Sequence, residues 1–246
     1  MYNDTLLLFL KLLSAHLITD FILQKDNWIM QRNTLHYKAP SLYLHTLITA
    51  LFAYLFSALW QNWQIPLIVF VTHTLIDIGK SYCKPLFIYF FIDQMLHWFV
   101  LLGCAWQYST TTTDIIHTNE IMAMPNTFWV YAVAYLLVTF PMGYCIGALV
   151  KPFKEQLQQI QNQSNDTLAD AGKWIGIFER LLILTFVLAN QFAAIGFLIA
   201  AKSILRFNNK DESFARKETE YVLVGTLISY ALSIFTGLIA NKLIQL

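Results

Sequence analysis

The chain has 246 residues, of which 57% are hydrophobic and only 13% are charged, and its formal net charge is +1. Soluble domains average roughly 45–50% apolar and about 25% charged residues, so the composition excludes an ordinary soluble domain and indicates a polytopic membrane protein. A net charge so close to zero provides no basic surface for a nucleic-acid partner.

Several apolar stretches are long enough to cross a bilayer, which takes about 20 residues of helix. Membrane helices are predicted at residues 5–24, 41–60, 65–82, 86–107, 127–150, 176–202 and 220–244. The predicted fold class is therefore all-α, a polytopic transmembrane bundle of about seven helices. A polar segment near 152–172 separates a His/Asp-rich four-helix bundle, 1–126, from the C-terminal membrane helices, 127–246.

Lysine and arginine in the connecting segments predict the orientation, because cytoplasmic loops carry an excess of both. The loops 25–40 and 151–172 are basic, whereas 108–126 contains neither residue, and this pattern predicts an external N-terminus. The 203–219 loop conflicts with this orientation. It is basic, but if each predicted helix crosses the membrane once, the loop lies on the external side. Either the chain makes a re-entrant hairpin near "ANQF" or the number of spans is wrong.

Three predicted membrane helices carry a histidine and an aspartate four residues apart. "HLITD" at 16–20 and "HTLID" at 73–77 have the histidine first, and "DQMLH" at 93–97 has it last. Residues i and i+4 share a helix face, and the reversed order suits a helix that runs in the opposite direction. We therefore expect the three pairs and His45 to meet near the cytoplasmic side of the bundle.

Imidazole and carboxylate together suit a first-row divalent metal, with zinc favoured over manganese or iron. An ionised aspartate at mid-membrane costs roughly 2.5–3.5 kcal/mol on insertion scales, so a compensating cation is expected. The predicted metal ligands are His16, Asp20, His45, His73, Asp77, Asp93 and His97. They exceed the needs of one tetrahedral ion, so two ions, or supporting and catalytic roles for some members, stay open.

Supporting groups are predicted around this set. Asp93 and Lys80 are the predicted catalytic residues, and Gln24 and Gln94 are expected to orient the ligands. Lys80 has an alternative role, in which its side chain extends to the lipid headgroups. A purely structural polar network is the competing interpretation of the whole set. The loop histidines, His36 and His117, are expected to have no functional role.

The second half of the chain carries a different polar set without histidine. Its predicted substrate-binding residues, which would hold an anionic headgroup, are Glu179, Arg180, Lys202 and Arg206. Arginine suits this role because its guanidinium matches phosphate oxygens. Charge pairing at helix ends is the alternative explanation for the same residues.

Several of these motifs jointly resemble a known bacterial membrane family. They are "HLITDFILQ", "HTLIDIGK", "FIDQMLH", "GIFERLLI", "AAKSILRF" and "EYVLVGTL". The chain is similar, over nearly its whole length, to the family called domain of unknown function 3307. The resemblance implies a multi-pass protein of the bacterial inner membrane and supplies no activity. A looser likeness to membrane-bound metal-dependent hydrolases implies divalent-metal chemistry.

The favoured function is a membrane-embedded, divalent-metal-dependent hydrolase. Its expected substrate is a lipid-linked phosphoester or acyl compound at the cytoplasmic leaflet, with membrane lipid as the partner and a homo-oligomer left open. A divalent-cation transporter is the first alternative, since the ligands are numerous enough for a relay. A di-haem electron carrier and a membrane scaffold with a structural polar network are the others.

Overall fold

The computed structural model describes residues 2–109, 126–158, 169–206 and 212–245, with side chains described over 4–109, 126–152, 172–203 and 221–245. Throughout these ranges every regular element is helical. The chain divides into two compact units, Met1–Leu136 and Leu137–Gln245. The predicted all-α helix bundle is therefore confirmed.

The first unit is organised around its N-terminal helix. Its helices are α1 (Tyr2–Ile18), α2 (Asp26–Leu35), α3 (Pro40–Ser57), α4 (Gln64–Ser81), α5 (Phe87–Tyr108) and the greater part of α6 (Asn126–Val138). Helix α1 packs against α3 and α5, and α4 also packs against both. Side chains such as Leu8 and Leu12 are consequently fully buried, so that α1, α3, α4 and α5 enclose one core.

The C-terminal end of α1 departs from α-helical geometry. A π-helical turn, Thr19–Leu23, continues α1 before the chain becomes extended at Gln24. Turns of this kind occur often at functional sites because they redirect one side chain. Here the turn contains Asp20, one of the predicted metal ligands.

The segment 25–40, predicted as a loop, is largely helical. It contains α2 and a short 3-10 helix, His36–Lys38. Helix α2 has no apolar stripe and few buried residues, so hydrophobic periodicity does not reveal it. It packs against α3 and α4 and delivers Arg32, which is 4% exposed, to the interior.

The predicted number of membrane spans is not exact. Within the described residues, the stretches long and apolar enough to cross a membrane are Asp4–Leu23, Pro40–Ser57, Phe87–Tyr108, Asn126–Pro152 and Tyr221–Ile244. The predicted span 65–82, now α4, is not among them, because His73, Asp77 and Lys80 lower its hydropathy. Its buried face carries these polar groups, while Leu67, Val71 and Leu75 are exposed on the other side.

The second unit corrects the predicted span 176–202. It contains α7 (Phe140–Gln158), α8 (Ala169–Leu188), α9 (Phe192–Arg206) and α10 (Glu212–Ile244). The chain breaks between α8 and α9, where Asn190 has a left-handed φ of 56°. Lys202 on α9 contacts Glu179 on α8, with Nζ 2.6 Å from Oε2, so the two helices form an antiparallel hairpin.

This hairpin removes the conflict in the charge pattern. Because α9 returns along α8, it ends on the side of the membrane where α8 begins. Lys173, near the start of α8, and Lys202, near the end of α9, then lie on one side, as the distribution of positive charge requires. The predicted linker near 152–172 begins inside α7, which extends to Gln158, and residues 159–168 lie outside the described part of the chain.

Helix α10 packs closely against α8 at a glycine. A Cβ atom at Gly237 would lie only 2.6 Å from Val187 Cγ1 and 2.8 Å from Val187 Cβ. The two helices pack against the buried group Ile183, Val187, Ile195 and Tyr230. The absence of a side chain at residue 237 therefore sets the distance between α8 and α10.

A candidate metal centre in the first unit

The seven predicted metal ligands lie together in the core of the first unit. His16 comes from the end of α1, His45 from the start of α3, His73 and Asp77 from the end of α4, and Asp93 and His97 from the start of α5. Neighbouring antiparallel helices thus contribute their groups at one end of the bundle. Apart from Asp20, whose side chain is 8% exposed, each is no more than 3% exposed.

Asp20, His45 and His73 form the tightest group. Asp20 Oδ1 lies 3.5 Å from Nε2 of His45 and 3.5 Å from Nε2 of His73, and the two nitrogens are 3.1 Å apart. Tetrahedral zinc with ligand bonds of about 2.0–2.2 Å separates neighbouring ligand atoms by about 3.4 Å. The three atoms therefore have the spacing of ligands around one ion. Asp20 Oδ1 is buried and makes no hydrogen bond.

His16 adds a fourth ligand atom, the third nitrogen, to this group. Gln94 Nε2 donates to Asp93 Oδ2 at 3.1 Å, which leaves Gln94 Oε1 to accept from His16 Nε2 at 3.3 Å. A neutral imidazole protonated at Nε2 carries its lone pair at Nδ1, and this atom lies 3.4 Å from Asp20 Oδ1. A lone pair facing a carboxylate is unfavourable unless a proton or a metal cation lies between them.

Asp77 is shared between a cationic side chain and the histidines. Arg32 Nη1 donates to Asp77 Oδ1 at 2.7 Å. The other oxygen, Oδ2, is buried without a hydrogen bond and lies 3.9 Å from Nε2 of both His45 and His73. The carboxylate therefore keeps one free oxygen directed at the imidazoles. Arg32 lies in the basic segment 25–40, and its position in a short polar helix gave no signal of this contact.

Asp93 has the same divided environment. Lys80 Nζ donates to Asp93 Oδ2 at 2.5 Å, whereas Oδ1 is buried without a hydrogen bond. Lys80 is 25% exposed, so it supports the cluster from its solvent-facing edge rather than extending away from it. His97 Nδ1 contacts the backbone carbonyl of Asp93 at 2.8 Å, and His97 Nε2 has no hydrogen-bond partner.

The charges of the cluster are incompletely balanced. Arg32 and Lys80 neutralise Asp77 and Asp93, respectively. Asp20 contacts only histidines. With neutral imidazoles, the described groups therefore retain one negative charge, centred on Asp20. Because uncompensated charge is costly in a buried site, this position suits a bound cation.

A small pocket borders the imidazoles on the side away from the carboxylates. His16, His73 and His97 contribute to its wall. The remaining lining residues are Leu12, Thr49, Ala53, Val69, Thr72, Val100 and Leu101. The pocket is thus largely apolar beyond the histidines. Lys11, 1% exposed, lies further along α1, with Nζ 5.8 Å from the centre of the Trp129 ring.

The polar set predicted for substrate binding lies in the second unit and is engaged internally. Glu179 pairs with Lys202. Arg180, 5% exposed, donates from Nε to Val138 O at 2.5 Å and from Nη2 to Thr139 O at 3.0 Å. These carbonyls lie where α6 ends and α7 begins, so Arg180 stabilises that break. The side chain of Arg206 lies outside the described residues.

The other predicted residues are separate from the cluster or not described. His36 Nδ1 contacts Ser81 Oγ at 3.0 Å, and its ring stacks on Tyr82 at 4.0 Å, which ties the end of α2 to α4. Gln24 follows the π-helical turn, and its backbone N–H donates to Thr19 O at 2.9 Å. His117 lies outside the described residues.

Comparison with known proteins gives a family without an activity. Residues 8–124 match the family model described as "Protein of unknown function (DUF3307)". The matched region contains all seven of the clustered histidines and aspartates, together with Arg32, Lys80 and Gln94. No curated protein and no solved structure matches the chain.

Proposed function

Because residues 8–124 match the DUF3307 family model, whose description names no reaction, we propose from the geometry that the protein is a membrane-embedded, divalent-metal-dependent hydrolase. Its metal ion, zinc in the first instance, would be held by Asp20, His45 and His73, with His16 as a further ligand. The observation that supports this most strongly is the unpartnered Asp20 Oδ1, 3.5 Å from each of two imidazole nitrogens that are themselves 3.1 Å apart.

The chemistry follows from the donor set. A divalent ion bound by three or four such ligands lowers the pKa of bound water to near 7 and so provides hydroxide for hydrolysis. Gln94 would hold His16 in the tautomer that leaves Nδ1 free to bind. Arg32 and Lys80 would hold Asp77 and Asp93 in fixed orientations, with Lys80–Asp93 able to exchange protons at the exposed edge.

Substrate access is proposed from the lipid phase at the same end of the bundle. Ile22 and Leu23, which follow Asp20 in the π-helical turn, are 50% and 36% exposed. Lys80 is partly exposed at this end of the bundle, and the segment after Asp20 contains Lys25 and Lys38. An apolar rim beside basic residues suits a lipid-linked phosphoester or acyl substrate in the cytoplasmic leaflet, and the resemblance favours the bacterial inner membrane.

Hydrolysis agrees better with the geometry than cation transport does. In the described part of the first unit, the region beyond the histidines is an apolar pocket, with the buried Lys11 further along α1. A transported cation would have to leave its ligands for apolar surroundings and pass an ammonium group, both of which are unfavourable. The ligands therefore favour a closed site over one stage of a pathway.

The test uses purified protein in detergent with a panel of lipid phosphoesters and acyl esters. We expect turnover that a chelator abolishes, that added zinc or manganese restores, and that His73→Ala eliminates. Lys173→Gln, which removes a charge from an exposed position of the second unit, is the control and should retain turnover. Activity indifferent to chelation and to His73→Ala would contradict the proposal, as would zinc uptake into proteoliposomes without hydrolysis.

A further inference from the structure

A second group of ligand atoms lies beside the proposed ion. One atom each from Asp77, Asp93 and His97 lie within 4.8 Å of one another. Three atoms of these residues, Asp77 Oδ2, Asp93 Oδ1 and His97 Nε2, are buried without a hydrogen bond. An unpartnered buried acceptor costs about 1–3 kcal/mol, so three such atoms in neighbouring residues require an explanation that the first ion does not give.

His97 has the protonation pattern of a metal ligand. A backbone carbonyl only accepts hydrogen bonds, so the 2.8 Å contact from His97 Nδ1 to Asp93 O places the proton on Nδ1. The lone pair of the neutral ring is then on Nε2, which has no partner. Metal-binding histidines commonly donate their second ring N–H to a carbonyl in this way, which fixes the ring.

The two carboxylates are prepared similarly. Each gives one oxygen to a cationic side chain, Asp77 to Arg32 and Asp93 to Lys80, and keeps the other free. The salt bridges fix the orientation of the free oxygens. Asp77 Oδ2 also lies 3.9 Å from Nε2 of His45 and of His73, so this carboxylate stands between the two ligand groups, where a bridging ligand would be.

We propose that Asp77, Asp93 and His97 bind a second divalent cation beside the first. This inference rests on the metal centre proposed above. The resulting two-ion centre acts on a phosphomonoester. In this arrangement Asp20, His45 and His73 hold the first ion and Asp77 bridges. Paired ions are suited to phosphoryl transfer because they stabilise both the attacking and the leaving oxygen.

The charge of the buried cluster selects this substrate class. With neutral imidazoles, three carboxylates and two cationic side chains leave one negative charge. One divalent ion with one hydroxide adds a single positive charge, so the net charge of the centre becomes zero. Such a centre suits an uncharged ester. Two divalent ions with one hydroxide leave two positive charges, which a doubly charged phosphomonoester neutralises. The number of ions therefore distinguishes the phosphoester from the acyl substrate.

The reaction is a hydrolysis that needs no other reactant. The water oxygen forms a new bond to phosphorus, and the bond from phosphorus to the ester oxygen breaks. One water proton passes to the departing oxygen, which gives an alcohol, and the other remains on inorganic phosphate. Phosphorus does not change its oxidation state.

The first experiment counts the ions. Detergent-purified protein, saturated with zinc and freed of excess metal, should contain two zinc ions per chain by elemental analysis. Asp93→Asn, which keeps the shape of the side chain, should reduce this to one, and His97→Gln should do the same. Lys173→Gln, at an exposed position of α8, is the control and should retain two zinc ions. Calorimetric titration of the wild type, which requires no variant to fold, should likewise show two equivalents.

The outcomes separate the two proposals. If the wild type binds one zinc ion per chain, and Asp93→Asn and His97→Gln still bind it, the second site is overturned and the first is kept. An absence of bound zinc in the wild type would overturn the proposed function itself. Two zinc ions, of which Asp93→Asn removes one, would support both.

The second experiment tests the substrate class with metal-loaded protein. Inorganic phosphate should bind to the wild type and bind at least tenfold more weakly to Asp93→Asn. Phosphatidic acid and glycerol phosphate then distinguish a lipid from a soluble source of the same phosphomonoester. Release of phosphate from either supports the two-ion centre. Hydrolysis confined to acyl esters, or phosphate binding unchanged in Asp93→Asn, would overturn it.

Discussion

The two units of the protein bury charged side chains in opposite ways. In the second unit, Arg180 donates to two backbone carbonyls and Glu179 pairs with Lys202; among its described residues, no charged atom is buried without a partner. In the first unit, Asp20, Asp77 and Asp93 each keep a buried oxygen without a hydrogen bond. A completed network stabilises the fold, whereas an incomplete one is the arrangement that a ligand would complete.

The energetic contrast supports this distinction. Each unpartnered buried acceptor costs about 1–3 kcal/mol, while a folded domain is stable by only about 5–15 kcal/mol in total. Three free carboxylate oxygens and His97 Nε2 therefore use a large part of the stability of the first unit. A bound cation would recover it. The predictions below test whether the two units respond differently to metal.

The largest effect is expected at Asp20. Asp20→Asn removes the charged oxygen that the histidines surround, so zinc affinity should fall about a thousandfold, or about 4 kcal/mol. Without metal, the same variant should be at least as stable as the wild type, because the lost charge was unpartnered. Zinc titration and thermal unfolding with and without zinc measure both. A metal-free variant that is clearly less stable would assign Asp20 to a structural network.

Arg180 should show the reverse behaviour. Arg180→Gln leaves the carbonyls of Val138 and Thr139 without their donor, and we expect a loss of about 3 kcal/mol in unfolding free energy. Zinc content should not change. Lys173→Gln removes a positive charge from an exposed position of the same helix and is the control. Lost metal binding in Arg180→Gln at unchanged stability would contradict the division between the units.

A variant of Arg32 tests whether a bound metal ion can replace the guanidinium group as the positive charge beside Asp77. Arg32→Gln leaves Asp77 without its ion pair, so the metal-free protein should lose about 3 kcal/mol of stability. Zinc should then stabilise the variant more than it stabilises the wild type, since a cation beside Asp77 substitutes for the guanidinium. Arg32→Lys, which keeps the charge, should lose less. Equal stabilisation of both proteins by zinc would show that Asp77 takes no part in metal binding.

Hydropathy predicted those parts of the fold in which one segment is apolar by itself. Helices α1, α3, α5 and α10 lie where the sequence predicted them. It did not predict α2, whose stability comes from contacts with α3 and α4. Hydropathy also gave no sign of the break before Phe192, because residues on both sides of it are apolar; only the charge pattern indicated it, as the alternative of a hairpin near "ANQF". Local hydropathy therefore predicts the apolar helices, whereas the position of α2 and the break before Phe192 depend on contacts between helices.

In the candidate site too, contacts set by spacing within one helix were predicted, and contacts between distant segments were not. The i, i+4 spacing of "HLITD", "HTLID" and "DQMLH" predicted which imidazoles and carboxylates would face one another, because helix geometry alone sets that relation. The partners of Asp77 and of Arg180 come from segments about 40 residues away in sequence. No spacing rule connects such segments, so the contacts that Arg32 and Arg180 make could not be predicted from the sequence.

The smallest expected effect concerns the space around Arg180. A Cβ atom at Gly143 would lie 3.0 Å from Arg180 Nη2, the atom that donates to Thr139 O. Gly143→Ala should therefore weaken this hydrogen bond and cost about 1 kcal/mol. Gly147→Ala, one turn further along α7, meets no atom within 4 Å and should gain up to about 1 kcal/mol from helix propensity. Thermal unfolding of the two variants separates these effects. Equal stability would mean that Arg180 adapts without loss, and that the completed network of the second unit tolerates change better than its burial indicates.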